Sequence, residues 1–246
     1  MILIMAFSLA ACGGGGVSQE EYDRVVAERD ALQAQLDAVA TPPAEGDADA
    51  APAEDTQPVQ KGGFDEGAVI QQLNTKVYQY VNSIKIAKIF LVVENTSQYN
   101  LDLSVNVSGR NAEGGMVGAK QAEINAVSAG ATVVFSVSMD EVPSEISYEF
   151  SAKQEEWFDS VIQNITYTSE SAKDKEIVSV TNEGDKAIEF VEGTILFFSN
   201  GELVGSDNTY FIDNDSELKP GKTIIKEMNA REPYDAYEIY FSGRAD

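Results

Sequence analysis

The sequence contains no histidine. Histidine is the commonest general base and the commonest metal ligand in proteins, so its absence excludes most familiar catalytic and metal-binding arrangements. Basic residues are also scarce: 17 Lys and Arg stand against 41 Asp and Glu, which gives a formal net charge of -24. Such an acidic chain repels phosphate backbones and anionic lipid surfaces. We therefore expect no nucleic-acid partner.

The chain has a single cysteine, Cys12, and therefore contains neither an internal disulfide nor a cysteine-rich zinc site. Its 246 residues are 43% hydrophobic, which is enough for one large or two small globular domains. A wholly disordered protein is excluded by the same composition.

The N-terminus carries an export signal. Residues 1–11 are apolar and uncharged, and are too short to span a bilayer as a helix, so they are predicted to be a signal peptide. The run Leu9-Ala10-Ala11-Cys12 resembles the bacterial lipobox, which implies that the sulfur of Cys12 receives diacylglycerol and that Cys12 becomes the mature N-terminus. Residues 12–17 would then be the lipidated cysteine and a glycine tether. No Lys or Arg precedes the apolar segment, so the position of the true start codon stays open.

Residues 18–40 are predicted to form a helix. Ser18 and Glu21 have the spacing of a capping box, and Val17 and Tyr22 that of a hydrophobic staple. Apolar residues recur at the a and d positions of a coiled coil, interrupted by Arg29: Tyr22, Val25, Leu32, Leu36 and Val39. The pattern favours self-association into a homo-oligomer, with a lone amphipathic helix as the alternative.

Residues 41–63 are rich in Pro, Ala, Gly and acidic residues, and four of the seven prolines lie there. Prolines favour extended backbone and the acids repel one another, so the sequence predicts a disordered, stretched linker. This linker would hold the rest of the chain away from the membrane.

Strand-type alternation dominates the remainder. Apolar and polar residues alternate from Leu101 to Val107, from Val133 to Met139, from Ile146 to Phe150 and from Tyr237 to Phe241. Asn200-Gly201 lies between Phe198 and Leu203 and is a strong signal for a two-residue hairpin. The pattern indicates an all-β fold with antiparallel sheets.

The two halves of this region repeat one another. Val93-Glu94-Asn95 matches Val180-Thr181-Asn182 at a shift of 87 residues, and Ala129-Gly130 matches Pro220-Gly221 at a shift of 91. The second copy therefore has four extra residues, which we place within Ile212 to Ser216. A period near ninety residues built from short strands predicts two tandem immunoglobulin-like β-sandwiches, at residues 64–152 and 153–246.

The order of strands and turns resembles that of surface lipoproteins of Gram-positive bacteria that carry FxLYD-like β-sandwich modules. In the second copy the resemblance rests on Val180 to Asn182, Ile195 to Phe198, Asn200 to Gly205 and Leu218-Lys219-Pro220-Gly221. The resemblance implies a noncatalytic module without an assigned ligand.

Few residues suggest a chemical site. Ser216 and Lys219 have the Ser-x-x-Lys spacing of serine acyl-enzymes, but they precede Pro220 in a predicted turn rather than on a helix. Asp213, Asp215 and Glu217 alternate as calcium ligands can, with a solvated acidic turn as the alternative. We therefore expect no enzyme activity and no cofactor.

The only tryptophan lies at the junction of the halves, in Glu155-Glu156-Trp157-Phe158. Apolar rings at such a junction are usually buried, so we expect Trp157 and Phe158 to pack the interface between the halves rather than to stack on a ligand.

The sequence thus predicts a cell-surface lipoprotein, bound to the membrane on its extracytoplasmic face through lipid on Cys12. Its two sandwiches would contact other envelope or extracellular proteins or act as a scaffold. The alternative is a ligand-capturing lipoprotein that binds glycan or calcium near the second sandwich.

Overall fold

The structure is a computed structural model and describes residues 63–245. The first half contains helix α1 (Glu66–Ile70) and strands β1 (Leu73–Val81), β2 (Ala87–Asn95), β3 (Leu101–Arg110), β4 (Met116–Val127), β5 (Thr132–Met139) and β6 (Glu145–Gln154). The second half contains a 3-10 helix (Ile162–Asn164) and strands β7 (Ile165–Ala172), β8 (Lys175–Asn182), β9 (Ile188–Ser199), β10 (Glu202–Tyr210), β11 (Glu217–Leu218), β12 (Thr223–Asn229) and β13 (Ala236–Arg244). All named strand pairs are antiparallel.

The first half consists of two three-stranded sheets, in the orders β1-β2-β5 and β4-β3-β6. Their facing sides enclose one apolar core. Alternate residues of β2, β3 and β5 supply it, among them Leu91, Leu103, Val105 and Phe135. Because side chains alternate across a strand, the residues between them point away from this core, as the sequence alternation predicts.

The second half repeats this arrangement, with the sheets β7-β8-β12 and β10-β9-β13 and with β11 also paired to β9. Its core again lies between the two sheets and includes Val178, Val180, Ile195 and Phe197. The chain therefore folds into several antiparallel sheets enclosing apolar cores, which confirms the predicted all-β class and is consistent with β-sandwich architecture.

Two buried asparagines show the repeat at atomic detail. Nδ2 of Asn95 donates to the carbonyl oxygen of Tyr99, and Nδ2 of Asn182 donates to that of Lys186, 87 residues later. The backbone amides of Gly130 and Gly221 donate to the carbonyl oxygens of the same two asparagines, at 2.7 Å each. In each half, the repeated asparagine and the repeated turn that ends in glycine are therefore joined by the same backbone hydrogen bond.

The predicted hairpin and insertion are both present. Asn200 and Gly201 link β9 to β10 with positive φ angles of 51° and 81°, as a type I′ turn requires. In the first half β4 is continuous, whereas in the second half the chain leaves the sheet after Tyr210 and returns at Glu217. The interruption contains the four extra residues where the sequence comparison placed them.

A third apolar cluster joins the halves. Phe90 and Val92, on the outer face of β2, pack with Leu196 and Phe198, on the outer face of β9. Central strands β2 and β9 are consequently buried on both faces. The halves belong to one compact unit, Lys61–Asp246.

Several predictions concern residues outside the described range. The signal peptide, Cys12 with its glycine tether, the helix at 18–40 and nearly all of the linker at 41–63 lie there, so they stay predictions. The division into two immunoglobulin-like domains at 64–152 and 153–246 is likewise not decided by the sheets alone. None of the helices in the described part of the chain is long and apolar enough to cross a membrane.

Candidate functional site

A cleft of about 620 Å³ opens beside the cluster that joins the halves. Strands β2, β4 and β5 of the first half line one side, and β9, β10 and β13 of the second half line the other. Ligand sites in proteins are commonly clefts of about 300–1,000 Å³ at the boundary between packed units. The size and position of this cleft make it the candidate functional site.

The lining is both aromatic and polar. Phe190 and Tyr210 are 49% and 46% exposed, whereas Phe90 in the same cleft is buried. The charged lining groups are Lys88, Arg244, Glu123, Glu192 and Asp207, and two amides, Asn125 and Asn208, also face the cleft. The cleft thus offers aromatic ring surface together with hydrogen-bond donors and acceptors.

Arg244 lies between two aromatic rings. Its guanidinium carbon is 3.9 Å from the ring centroid of Phe158 and 5.3 Å from that of Phe190, in cation–π geometry. The Nε atom of Arg244 is buried and has no hydrogen-bond partner within residues 63–245. The rings fix the side chain, and one donor of its guanidinium remains unused.

Phe190 adopts a backbone conformation that is rare for bulky residues, with φ at 51°. It lies between buried Ile188 and Val191, and the pairing of β13 with β9 shifts register opposite it, between Ser242 and Arg244. A bulge of this kind redirects a side chain, and here it turns the Phe190 ring outward. Strained residues of this type often mark functional sites.

Two of the acidic groups already have structural partners. Both carboxylate oxygens of Asp207 accept backbone N–H groups, from Asn208 and Asn229. Glu192 accepts a hydrogen bond of 2.8 Å from Nδ2 of Asn208 through its Oε1 atom. These bonds fix the wall of the cleft and leave Oε2 of Glu192 as an additional acceptor.

A pair of carboxyl groups lies at the junction of the halves. Oε1 of Glu155 accepts the backbone N–H groups of Trp157 and Phe158, and Oδ1 of Asp102 accepts that of Ala126. Burial and the hydrogen bond with Glu155 raise the pKa of Asp102 from 3.8 to about 6. Burial also acts to raise the pKa of Glu155, but hydrogen bonds from Asp102 and the backbone outweigh it and lower that pKa. Below about pH 6, Asp102 is therefore the member of the pair that holds the proton.

The buried Oε2 atom of Glu155 has no donor within the described residues. Below about pH 6, a proton on Asp102 can supply this hydrogen bond between the two carboxyl groups. This pair ties the connection between the halves to β3, while the hydroxyl of Ser160 anchors the same connection to the carbonyl oxygen of Ala126. Asp102 carries no distinguishing sequence pattern, because it is one aspartate among many acids.

The prediction for Trp157 is wrong. Its side chain is 84% exposed and does not pack between the halves. The two hydrogen bonds to Glu155 form a tight turn that directs Trp157 into solvent, and Phe158 alone turns inward to meet Arg244.

The acidic triplet and the Ser-x-x-Lys pair belong to one ion-paired turn. Nζ of Lys219 bonds to Oδ2 of Asp215, and Nζ of Lys222 lies 3.2 Å from Oδ2 of Asp213. The hydrogen bond and charge of Asp215, with the charge of Asp213, raise the pKa of Lys219 above its ordinary value. A lysine held protonated in this way does not accept a proton from Ser216.

Within the described range no group of three or more His, Cys, Asp or Glu side chains is placed to hold a metal ion, so the calcium alternative has no structural support.

Among residues 63–245, the most buried acidic side chain is held by hydrogen bonds within the fold. Glu176 is fully buried on β8 and accepts hydrogen bonds from Ser169, Ser171 and Tyr234. Burial acts to raise its pKa, but these donors outweigh burial and hold the pKa below its ordinary value. Glu176 is thus a charged group satisfied by hydroxyl donors.

The cleft was not predicted from the sequence. One signal was available: the run Ile89-Phe90-Leu91-Val92-Val93 is apolar at every position, as is Ile195 to Phe198. Continuous apolar runs are typical of strands buried on both faces. They indicate that a third layer covers these strands, and the cleft opens at the margin of that contact.

Comparison with known proteins adds no identification. No protein-family model matches the chain, and no curated protein matches it.

Proposed function

We propose that the protein is a noncatalytic, lipid-anchored surface protein that displays two immunoglobulin-like modules as one fixed unit. The apolar cluster of Phe90, Val92, Leu196 and Phe198 carries this proposal, because it holds the halves in a single orientation. A pair of modules joined in this way presents a constant surface to envelope or extracellular proteins. The resemblance of the order of strands and turns to FxLYD-like modules, and the linker predicted at 41–63, support the same function.

The chemistry of the described residues favours binding over catalysis. The Ser216 and Lys219 pair, which alone resembled a nucleophile and its base, lies in an ion-paired turn. Buried Glu176 and the Asp102–Glu155 pair hold strands and the connection between the halves. We therefore assign these groups to structure and place function on the surface.

Membrane attachment is tested by fractionation of cells that express the full chain with Cys12→Ala. We expect the parent protein in the membrane fraction and the variant in the soluble or secreted fraction. Gly14→Ala is the matched control, since it alters the tether and keeps the thiol. Retention of Cys12→Ala on the membrane, or release of both variants, contradicts the lipid assignment.

Self-association through residues 18–40 is part of the proposal. Lipid anchoring raises the local concentration of the helices, so a short a/d seam can pair there even where the free peptide does not. Crosslinking of the lipidated protein in vesicles should be lost in Leu32→Asp with Leu36→Asp. It should persist in Ala31→Asp with Ala34→Asp, which adds the same charge off the seam. Equal yields in all three proteins would contradict the oligomer.

The second candidate function is ligand capture. The cleft between the halves favours it, because exposed aromatic rings and the guanidinium of Arg244 line it together. A pull-down of partner proteins from envelope extracts, compared with a glycan-binding screen, separates the two functions.

A further inference from the structure

We propose that the cleft between β2, β4 and β5 on one side and β9, β10 and β13 on the other is a binding site for a neutral glycan segment. The site requires the contact between the halves and does not depend on the lipid anchor. This proposal specifies the ligand class for the second candidate function, ligand capture. It is independent of membrane attachment and of any protein partner.

Aromatic surface is the first argument. Phe190 and Tyr210 line the cleft and expose nearly half of their surface. The C–H face of a sugar ring packs on such rings, because the ring π-face is partially negative and the sugar C–H groups are partially positive. The bulge holds Phe190 at a strained φ of 51° and leaves this residue 49% exposed in the cleft.

Hydrogen-bonding capacity is the second argument. Sugar hydroxyls both donate and accept, and the cleft presents both kinds of partner. The guanidinium of Arg244 lines the cleft between two rings and supplies donors, while Oε2 of Glu192 and the side chain of Asn125 supply acceptors. An aliphatic lipid chain would leave these groups without partners, at an energetic penalty.

Charge is the third argument and excludes polyanions. Three carboxylates, Glu123, Glu192 and Asp207, line the cleft against two cations, Lys88 and Arg244. The whole chain carries -24. A sulfated or phosphorylated polymer would be repelled at this surface, whereas an uncharged sugar chain would not.

Titration calorimetry on the full-length chain tests the site, with chitohexaose and cellohexaose as neutral probes and a heparin hexasaccharide as the polyanionic probe. We expect at least one neutral hexaose to bind with a Kd in or below the millimolar range, and heparin to bind more weakly or not at all. Glycine at position 190 is compatible with the local backbone, so Phe190→Gly with Tyr210→Ser removes both rings without straining the fold.

The double variant should bind the neutral hexaose at least about tenfold more weakly, since two stacking contacts are lost. Tyr148→Ser is the matched control, because Tyr148 is a similarly exposed aromatic residue on β6 outside this cleft, and it should leave binding unchanged. Glu192→Gln should weaken binding less than the loss of the rings. The proposal is overturned by no heat with either neutral probe, by preference for heparin, or by equal affinity in the parent and the double variant.

A negative result here leaves the membrane fraction of Cys12→Ala unaffected, so failure of this site and failure of the lipid anchor are separate outcomes. Circular dichroism of the double variant, unchanged in the β region, confirms that loss of binding does not come from unfolding.

Discussion

In each half, the side chain of one buried asparagine satisfies several backbone hydrogen-bonding groups. The side chain of Asn182 donates to the carbonyl oxygens of Lys186 and Leu218 and accepts the N–H of Gly184. Asn95 makes the equivalent bonds in the first half. One amide therefore satisfies backbone groups of a loop and of a neighbouring strand that would otherwise be buried without partners.

We expect Asn182→Ala to lower the free energy of unfolding by about 2–4 kcal/mol, because buried backbone groups lose their partners. Urea denaturation followed by circular dichroism measures the change. Asn214→Ala, in the exposed loop before β11, is the control and should change stability by less than about 0.5 kcal/mol. Equal effects of the two substitutions would refute the structural role of the amide.

The Asp102–Glu155 pair predicts a pH dependence of unusual sign. The pKa of Asp102 is raised from 3.8 to about 6 in the folded chain, so the folded state holds this proton more tightly than the unfolded state. The resulting stabilisation is complete below pH 3.8 and is lost as the pH rises through about 6. Glu155, whose pKa is lowered, contributes in the opposite sense only at more acidic pH, as its folded form becomes protonated.

Asp102→Asn should therefore stabilise the protein at pH 7.5 by about 1–2 kcal/mol, a figure reduced for the partial exposure of the group. The amide keeps a donor for Glu155 without needing a proton. Between pH 5 and pH 7 the unfolding free energy of the variant should fall less with rising pH than that of the parent. Asp140→Asn controls for the loss of one negative charge. The same pH slope in Asp102→Asn and the parent would contradict the assignment.

At the scale of elements, the hairpin between β9 and β10 offers a clean test of local backbone preference. Gly201 has a φ of 81°, and an added Cβ would meet no atom within 4 Å. Gly201→Ala should therefore destabilise the fold through backbone strain alone, by about 1–2 kcal/mol.

Gly67→Ala is the matched control for this prediction. Gly67 lies in α1 with a helical backbone, and its Cβ would make only an ordinary contact, 3.5 Å from Oδ1 of Asp65. Alanine favours helix over glycine, so this change should be neutral or stabilising. Thermal unfolding of both variants distinguishes them, and a loss of stability in Gly67→Ala as large as in Gly201→Ala would show that strain at Gly201 is not the cause.

The strands show which parts of a fold local pattern encodes. Alternating apolar residues predicted β3, β5, β6 and β13, because in each strand the apolar positions face one of the two cores. The hairpin followed from Asn200-Gly201, since few residues tolerate positive φ. Helix α1 was not predicted, although Asp65 caps it through a 3.1 Å bond to the N–H of Ala68. Five residues are too few for a helical period to be recognised.

The site was harder to predict than the strands, for a physical reason. The cleft brings together β4 and β10, whose residues are separated by about one repeat and meet only because two sheets pack through their outer faces. Pairing of distant surfaces leaves no periodic signal in either segment. The exposed position of Trp157 was missed similarly, because the hydrogen bonds of Glu155, rather than ring hydrophobicity, set its direction.

At the scale of the whole molecule, the packing of the halves is asymmetric. Sheet β1-β2-β5 of the first half meets sheet β10-β9-β13 of the second half, so the two repeats use different faces. The equivalent outer faces that remain uncovered are mostly polar along their central strands, as Ser104 and Asn106 on β3 illustrate. The two repeats therefore do not offer the same face for a further contact of this kind.

The contact between the halves yields the last prediction. Residues 153–246 contain their own complete core, so this fragment should fold and give a well-dispersed proton spectrum. It should also self-associate, because Leu196 and Phe198, at 0% and 7% exposure in the whole chain, lose the cover of Phe90 and Val92. Each large apolar side chain gains about 1.5–3 kcal/mol from full burial, which drives the exposed faces together.

The fragment with Leu196→Thr and Phe198→Thr should be monomeric in analytical ultracentrifugation and equally well dispersed. A monomeric parent fragment would show that the third cluster contributes little, and a collapsed spectrum for both fragments would show that the halves fold only together.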